Sequence, residues 1–146
     1  KAVVQAKTRN VDVVFTGMTR EKAKAFHAMD VYVFPTWQEA FGRVMPEAMS
    51  VGTPIVTSDY EVCRELCNGA AVYALYDRTD PMPRRYVNAF AQEVLALANS
   101  SEKREQMGEL GKARAERLYD AKRMAEEFGM LYEEMVLRIK CYNILL

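Results

Sequence analysis

Val31-Tyr32-Val33-Phe34-Pro35-Thr36-Trp37-Gln38-Glu39-Ala40-Phe41-Gly42-Arg43-Val44-Met45-Pro46-Glu47-Ala48-Met49 passes from an apolar run, through a polar loop, into a helical pattern. The four residues before Pro35 are β-branched or aromatic and end at a turn former, as a buried strand does. Pro46 is tolerated only in the first turn of a helix, so the helix starts near residues 43–45. Its first backbone N–H groups then face the loop and form a natural anion site. Gly42 allows the backbone to approach a ligand closely. Glu39 lies in the loop and Glu47, eight positions on, in the first helical turn. Ionised carboxylates beside an anion site suit neutral hydroxyls, which they fix by accepting hydrogen bonds. Phosphate between two hydroxyl-bearing groups describes a nucleotide-sugar. Spacing alone equally allows a plainer reading, in which Glu47 complements the helix dipole and Glu39 is an ordinary loop residue.

The pattern extends outward from this stretch. Val11-Asp12-Val13-Val14-Phe15, Ile55-Val56-Thr57 and the run from Ala70 to Leu75 are further strand candidates bounded by turn residues. Helical patterns lie between them at residues 19–29, 44–51 and 61–67. The alternation predicts an α/β fold, a Rossmann-like parallel sheet with helices on both faces and right-handed crossovers. Ligands bind at the carboxyl edge of such sheets, where the quoted loop begins. Pro81 and Pro83 mark a change of character, and residues 84–140 show only helical periodicity. We read residues 1–83 as the α/β part and 84–146 as an all-helical segment, together one partial domain. Residues 101–140 carry nine acidic and nine basic side chains, as solvated helix faces do. Met124, Phe128, Leu131, Met135 and Ile139 share one helical face, which is expected to pack in the core; a partner groove is the alternative. Asp120 and Ser101 are the expected N-caps of the last two helices.

Composition narrows the function classes. The 146 residues carry 20 Lys+Arg against 20 Asp+Glu and are 50% hydrophobic, which excludes disorder and argues against a general nucleic-acid binder. No apolar run approaches the ~18 residues of a membrane span. Three cysteines without a CxxC pair fit free thiols in a reducing compartment, hence a cytoplasmic expectation. His27 is the only histidine, so neither a metal cluster nor a triad is expected, and His27 itself reads as a surface or packing residue.

Phe15-Thr16-Gly17, Ala28-Met29-Asp30-Val31-Tyr32-Val33-Phe34-Pro35-Thr36, Glu39-Ala40-Phe41-Gly42 through Glu47-Ala48-Met49, and Gly52-Thr53-Pro54-Ile55-Val56 resemble, in order and spacing, one family. It is the retaining, nucleotide-sugar-dependent glycosyltransferases of the glycogen synthase and mannosyltransferase type, which have the GT-B fold and an E-x7-E signature. The resemblance covers residues 11–132, with Glu65 and the Asp80-Pro81 turn as weaker matches. It implies that this chain is the C-terminal, donor-binding half of a hexosyltransferase. Glu39 would hold hydroxyls of the donor sugar at the catalytic centre, and Glu47 those of the ribose. Backbone amides of Ala40, Phe41, Gly42, Arg43 and Val44 would meet the sugar and distal phosphate. Gly17, Met18 and Thr19 would contact the nucleobase, with Lys22 in reach. The family uses no metal and no cofactor besides the donor, so none is expected here.

The match breaks in two places. Relatives carry glycines after the Ser-Asp that corresponds to Ser58-Asp59, where this chain has Glu61 and Val62; Glu65 beside them reads as a structural helix residue. A complete donor half also opens with a glycine-rich loop and an Arg/Lys pair, which this chain does not contain; Arg43 is a candidate substitute cation. Residues 1–10 then read as the tail of an earlier helix. In that family's sheet two strands separate residues 11–15 from residues 31–34, so a further segment, or a second chain in a dimer or strand exchange, is expected to fill the gap. An N-terminal lobe, absent here, would bind the sugar or lipid-linked acceptor and set any peripheral membrane contact, so this chain alone is expected to be inactive. A degenerate or truncated relative acting as an interaction module, and a nucleotide-sugar epimerase-like enzyme, are the alternatives.

Overall fold

The computed structural model describes residues 12–36, 38–75 and 83–144. In chain order the elements are α1 (Lys22–His27), β1 (Tyr32–Phe34), α2 (Val44–Ser50), β2 (Ile55–Ser58), α3 (Glu61–Cys67), β3 (Val72–Ala74), α4 (Pro83–Ala98), α5 (Ser101–Leu118) and α6 (Ala121–Ile144). The strands form one parallel sheet in the order β1-β2-β3, with Tyr32 opposite Ile55 and Val56 opposite Val72.

Every residue of the central strand β2 is buried, because helices cover both faces. Side chains alternate along a strand, and β2 uses both directions. Ile55 joins Met45, Met49, Cys63 and Cys67 in one core, which Phe26 of α1 and Ala115 of α5 complete. Val56 points the other way and packs with Ala74, Phe90 and Leu97 under α4. The polar members of the strand are satisfied: the Thr57 hydroxyl donates to the Phe34 carbonyl at 3.1 Å. Thr53, just before β2, donates to the Phe26 carbonyl at 2.9 Å and ties α1 to the sheet.

The helix α5 lies close against α2, and glycine makes the approach possible. A Cβ added at Gly108 would stand 2.5 Å from the Gly52 carbonyl oxygen, a backbone atom with no freedom to yield. Ser100, rather than Ser101, caps this helix: its hydroxyl accepts from the Lys103 amide at 3.2 Å, while Ser101 is already helical. Asp120 caps α6 as expected, accepting from the Arg123 amide at 2.8 Å.

Three expectations are corrected. Residues 12–15 form no strand, and Val14 and Phe15 are exposed at 80% and 73%. A strand needs a hydrogen-bonded neighbour, and none of the described residues lies in ladder with them; Val11 lies outside the described residues, as do residues 1–10. The helix anticipated over residues 19–29 is confined to Lys22–His27, since Thr19 forms a turn in which its hydroxyl accepts from the Glu21 amide at 3.0 Å. Finally, the stripe Met124, Phe128, Leu131, Met135 and Ile139 is not core. Each of these residues is about half exposed, including Met124, which borders the cleft lined by Phe41, Arg43 and Glu47. Periodicity shows that a helix has an apolar face; it does not supply the surface that covers it.

Candidate functional site

The loop between β1 and α2 starts at the carboxyl edge of the sheet, and its root is held fast. The Thr36 carbonyl accepts from the Ser58 hydroxyl at 2.5 Å and from the Tyr86 hydroxyl at 3.4 Å, and the two hydroxyls are 2.8 Å apart. Neither hydroxyl carried a role in the sequence reading. Tyr86 lies 50 positions from Thr36, on α4, and no local pattern announces such a partner.

Beyond the root, the loop is shaped by Glu39 and Gly42. One Glu39 oxygen accepts from the amides of Ala40 at 3.0 Å and Phe41 at 3.2 Å. Two of the amides expected to meet a ligand anion therefore already hold a carboxylate of the chain itself. Gly42 has φ +72°, and a Cβ there would lie 2.6 Å from the Met45 methyl and 3.1 Å from Glu39 Cγ. The positive φ favours glycine, and a side chain there would also have to displace the Met45 methyl. The helix α2 then starts at Val44 with Pro46 in its first turn, where a missing N–H costs nothing.

Glu47, one residue on, faces α1. Lys22 Nζ lies 2.9 Å from one of its oxygens and 3.2 Å from the other. Both carboxylates bear on a single phenol. Burial pushes the Tyr32 hydroxyl above its ordinary pKa, and Glu47 and Glu39 push it further the same way. Burial likewise raises the Cys63 thiol, with a smaller push from Glu39 against the lowering effect of its Thr57 hydrogen bond. The structure thus pairs Glu47 with Lys22, while Glu39 is held by the amides of its own loop. Gly17, Met18 and Thr19 stay exposed, in a turn where Gly17 has φ +70°. Arg43 is exposed and lines a cleft of about 470 Å³ with Phe41 and Glu47, opposite Tyr119 and Arg123. The rings of Phe41 and Tyr119 meet edge to face, 6.5 Å between centroids.

The positions where glycines were expected have a definite structure. Tyr60 is extended and α3 begins at Glu61, so Glu61 and Val62 form a helical first turn. Asp59 is engaged by both Arg64 Nε and Nη2, the latter at 2.8 Å, and the guanidinium lies 5.0 Å over the Tyr73 ring. The Glu65 carbonyl accepts from Arg114 at 2.6 Å, as part of the closure of α3 onto α5. The Asp80-Pro81 turn lies outside the described residues. His27 is exposed. Among the described residues no three His, Cys, Asp or Glu side chains are grouped to hold a metal ion, and no helix is long and apolar enough to cross a membrane.

Residues 1–100 match the family described as "Glycosyl transferases group 1". Spore coat protein SA of Bacillus subtilis (strain 168) is 36% identical over 110 residues, which are 72% of this chain and 27% of that protein. The phosphatidyl-myo-inositol mannosyltransferase of Mycobacterium leprae (strain TN) is 34% identical over 113 residues, 77% of this chain and 28% of the relative. The capsular polysaccharide biosynthesis glycosyltransferase CapM of Staphylococcus aureus is 26% identical over 86% of this chain and 31% of its own length. The chain therefore spans less than a third of the curated relatives it matches. Among solved structures, sucrose-phosphate synthase from Thermosynechococcus elongatus superposes with a TM-score of 0.76 at 23% identity, over 94% of this chain and 34% of that one. The shared architecture is the C-terminal half of the GT-B fold.

Proposed function

The chain belongs to the glycosyl transferases of group 1, and from that premise we propose that it is the donor-binding part of a retaining, metal-independent hexosyltransferase. The observation that supports this reading is the loop from β1 to α2, which leaves the carboxyl edge of the sheet carrying Glu39 against its own backbone amides, the Gly42 turn at φ +72° and Glu47 in the first turn of α2. Glu47 accepts hydrogen bonds from the ribose hydroxyls. Glu39 leaves the Ala40 and Phe41 amides when the donor arrives and turns to hydroxyls of its sugar. Those amides, with the loop backbone through Val44, then face the sugar and the distal phosphate. Once Glu39 has released them, such donors stabilise the charge that develops on the departing nucleotide. Gly17, Met18 and Thr19 form the edge against which the nucleobase lies. Arg43 contributes positive charge from the cleft side.

Transfer itself needs an acceptor and a surface that closes over the donor, and in this proposal both belong to an N-terminal lobe outside this chain. The cytoplasm, where nucleotide-sugars are made, is the proposed location, with membrane contact arising only through that lobe. The exposed stripe of α6 favours a second reading, in which the chain serves as an interaction module through that helix.

Isothermal titration of the intact protein with UDP-, GDP- and ADP-sugars tests the donor reading. One of these binds, and a chelator leaves its affinity unchanged. Glu47→Ala weakens the sugar nucleotide and the free nucleoside diphosphate alike. Glu39→Ala weakens the sugar nucleotide and spares the free diphosphate; equal loss of both refutes the assignment of Glu39 to the sugar.

A further inference from the structure

The ladder between β1 and β2 ends where Phe34 stands opposite Thr57. Thr36, two residues on, has left the ladder, and side chains tie it back to the sheet. Ser58 is fully buried at the end of β2, and its hydroxyl oxygen lies 2.5 Å from the Thr36 carbonyl oxygen. That hydroxyl has one proton, and assigning it to the short contact leaves the phenol of Tyr86, 2.8 Å away, as donor to Ser58. The result is a chain of two hydrogen bonds, from Tyr86 to Ser58 to Thr36, that joins α4, β2 and the loop. A serine hydroxyl has three staggered orientations, and acceptance from Tyr86 favours the one aimed at Thr36. The Tyr86 ring itself stands edge to face against Phe90, 4.8 Å between centroids, in the core under α4, so the phenol acts from a fixed base.

The two ends of the loop are thus anchored by different means. The α2 end is held by packing, since Met45, Ala48 and Met49 are fully buried in the first core. The β1 end, three residues before Glu39, depends on the hydrogen-bond chain. Losing the chain loosens the segment that bears Glu39, while Glu47 on α2 keeps its place. We propose that Tyr86 is a positioning residue: acting through Ser58, it fixes the β1 end of the loop and so sets where Glu39 meets the sugar of the donor. The inference rests on the assignment of Glu39 to that sugar.

The test titrates the intact protein with UDP-glucose, GDP-mannose and ADP-glucose, each beside its free nucleoside diphosphate. The readout is the ratio of the two affinities for the pair that binds best, because a general structural lesion lowers both and leaves the ratio alone. Tyr86→Phe keeps the ring and removes the donor. It lowers the affinity of the sugar nucleotide about 3–10-fold, the worth of one hydrogen bond, and that of the diphosphate less than about 2-fold. Ser58→Ala lowers the ratio as well, and adding Tyr86→Phe to it costs nothing more, the signature of two residues acting in one chain. Phe90→Leu, which loosens the same core and leaves both hydroxyls in place, lowers the melting temperature without moving the ratio. An unchanged ratio in Tyr86→Phe, equal losses for both ligands, or additive losses in the double variant overturn the inference. The parent protein and Glu39→Ala decide the assignment beneath it: if no sugar nucleotide binds the parent, or the ratio survives Glu39→Ala, that assignment is refuted and the inference falls with it.

Discussion

The central strand β2 and the final helix α6 are both rich in apolar residues, and they have opposite fates. All four residues of β2 are buried between helices contributed by segments on either side of it in the chain. In α6 the residues of a regular apolar stripe stand about half exposed. Burial of apolar area is what rewards ordering, at about 25 cal/mol per Å² removed from water. The sheet region collects that reward within this chain. The helix α6 holds its apolar area unspent, and the open side of β1, beside which residues 12–15 find no ladder, is in a similar position. Among the described residues the α/β centre thus buries its apolar side chains, while residues 13–15 and the stripe of α6 leave theirs about half exposed or more.

The largest effect should come from the centre. Ile55→Ala removes a fully buried side chain from the middle of the first core, and chemical denaturation should report a loss of about 2–5 kcal/mol. A loss below 1 kcal/mol would mean that the sheet is less self-contained than its burial indicates. Gly108→Ala comes next. The added methyl meets the Gly52 carbonyl at 2.5 Å, so α5 must shift from α2, at a cost of about 1–3 kcal/mol. Gly129→Ala, in α6 with nothing within 4 Å of the added atom, should instead be neutral or slightly stabilising.

A smaller effect depends on pH. Burial pushes the Cys67 thiol from an ordinary 9.0 up to about 12. Below pH 9 the thiol is protonated in both folded and unfolded chains and stability does not change with pH on its account. Above pH 9 the unfolded chain releases the proton and the folded one retains it, so stability falls as pH rises toward about 12. The loss reaches about 1.4 kcal/mol by pH 10. Denaturation curves at pH 8 and pH 10 should therefore diverge less for Cys67→Ala than for the parent; an equal divergence would show that the thiol is not shielded. The smallest effect belongs to α6: Leu131→Ala should change stability by less than about 0.5 kcal/mol. A large loss there would show that the stripe is covered in solution.

What was legible in the sequence follows the same division. The strand–loop–helix unit carrying Glu39 and Glu47 could be read because each of its signals is local. Pro35 and Pro46 bound the loop, Gly42 supplies the positive φ, and α3 was placed at residues 61–67, where it stands. The expectations for residues 12–15 and for the α6 stripe failed because alternation and periodicity report a preference, and its fulfilment depends on partners. Contacts between distant segments left no sequence signal at all. Gly108 against Gly52, Tyr86 at Thr36 and Lys22 at Glu47 join positions 25 to 56 residues apart, and each becomes visible only when the chain is folded.

The hydroxyl pair at Thr36 has a consequence for motion. With the Thr36 carbonyl held by Ser58 and Tyr86, the start of the loop is tied to the end of β2 and to α4. Any movement of the loop at its root would therefore break hydrogen bonds to the end of β2 and to α4 at once.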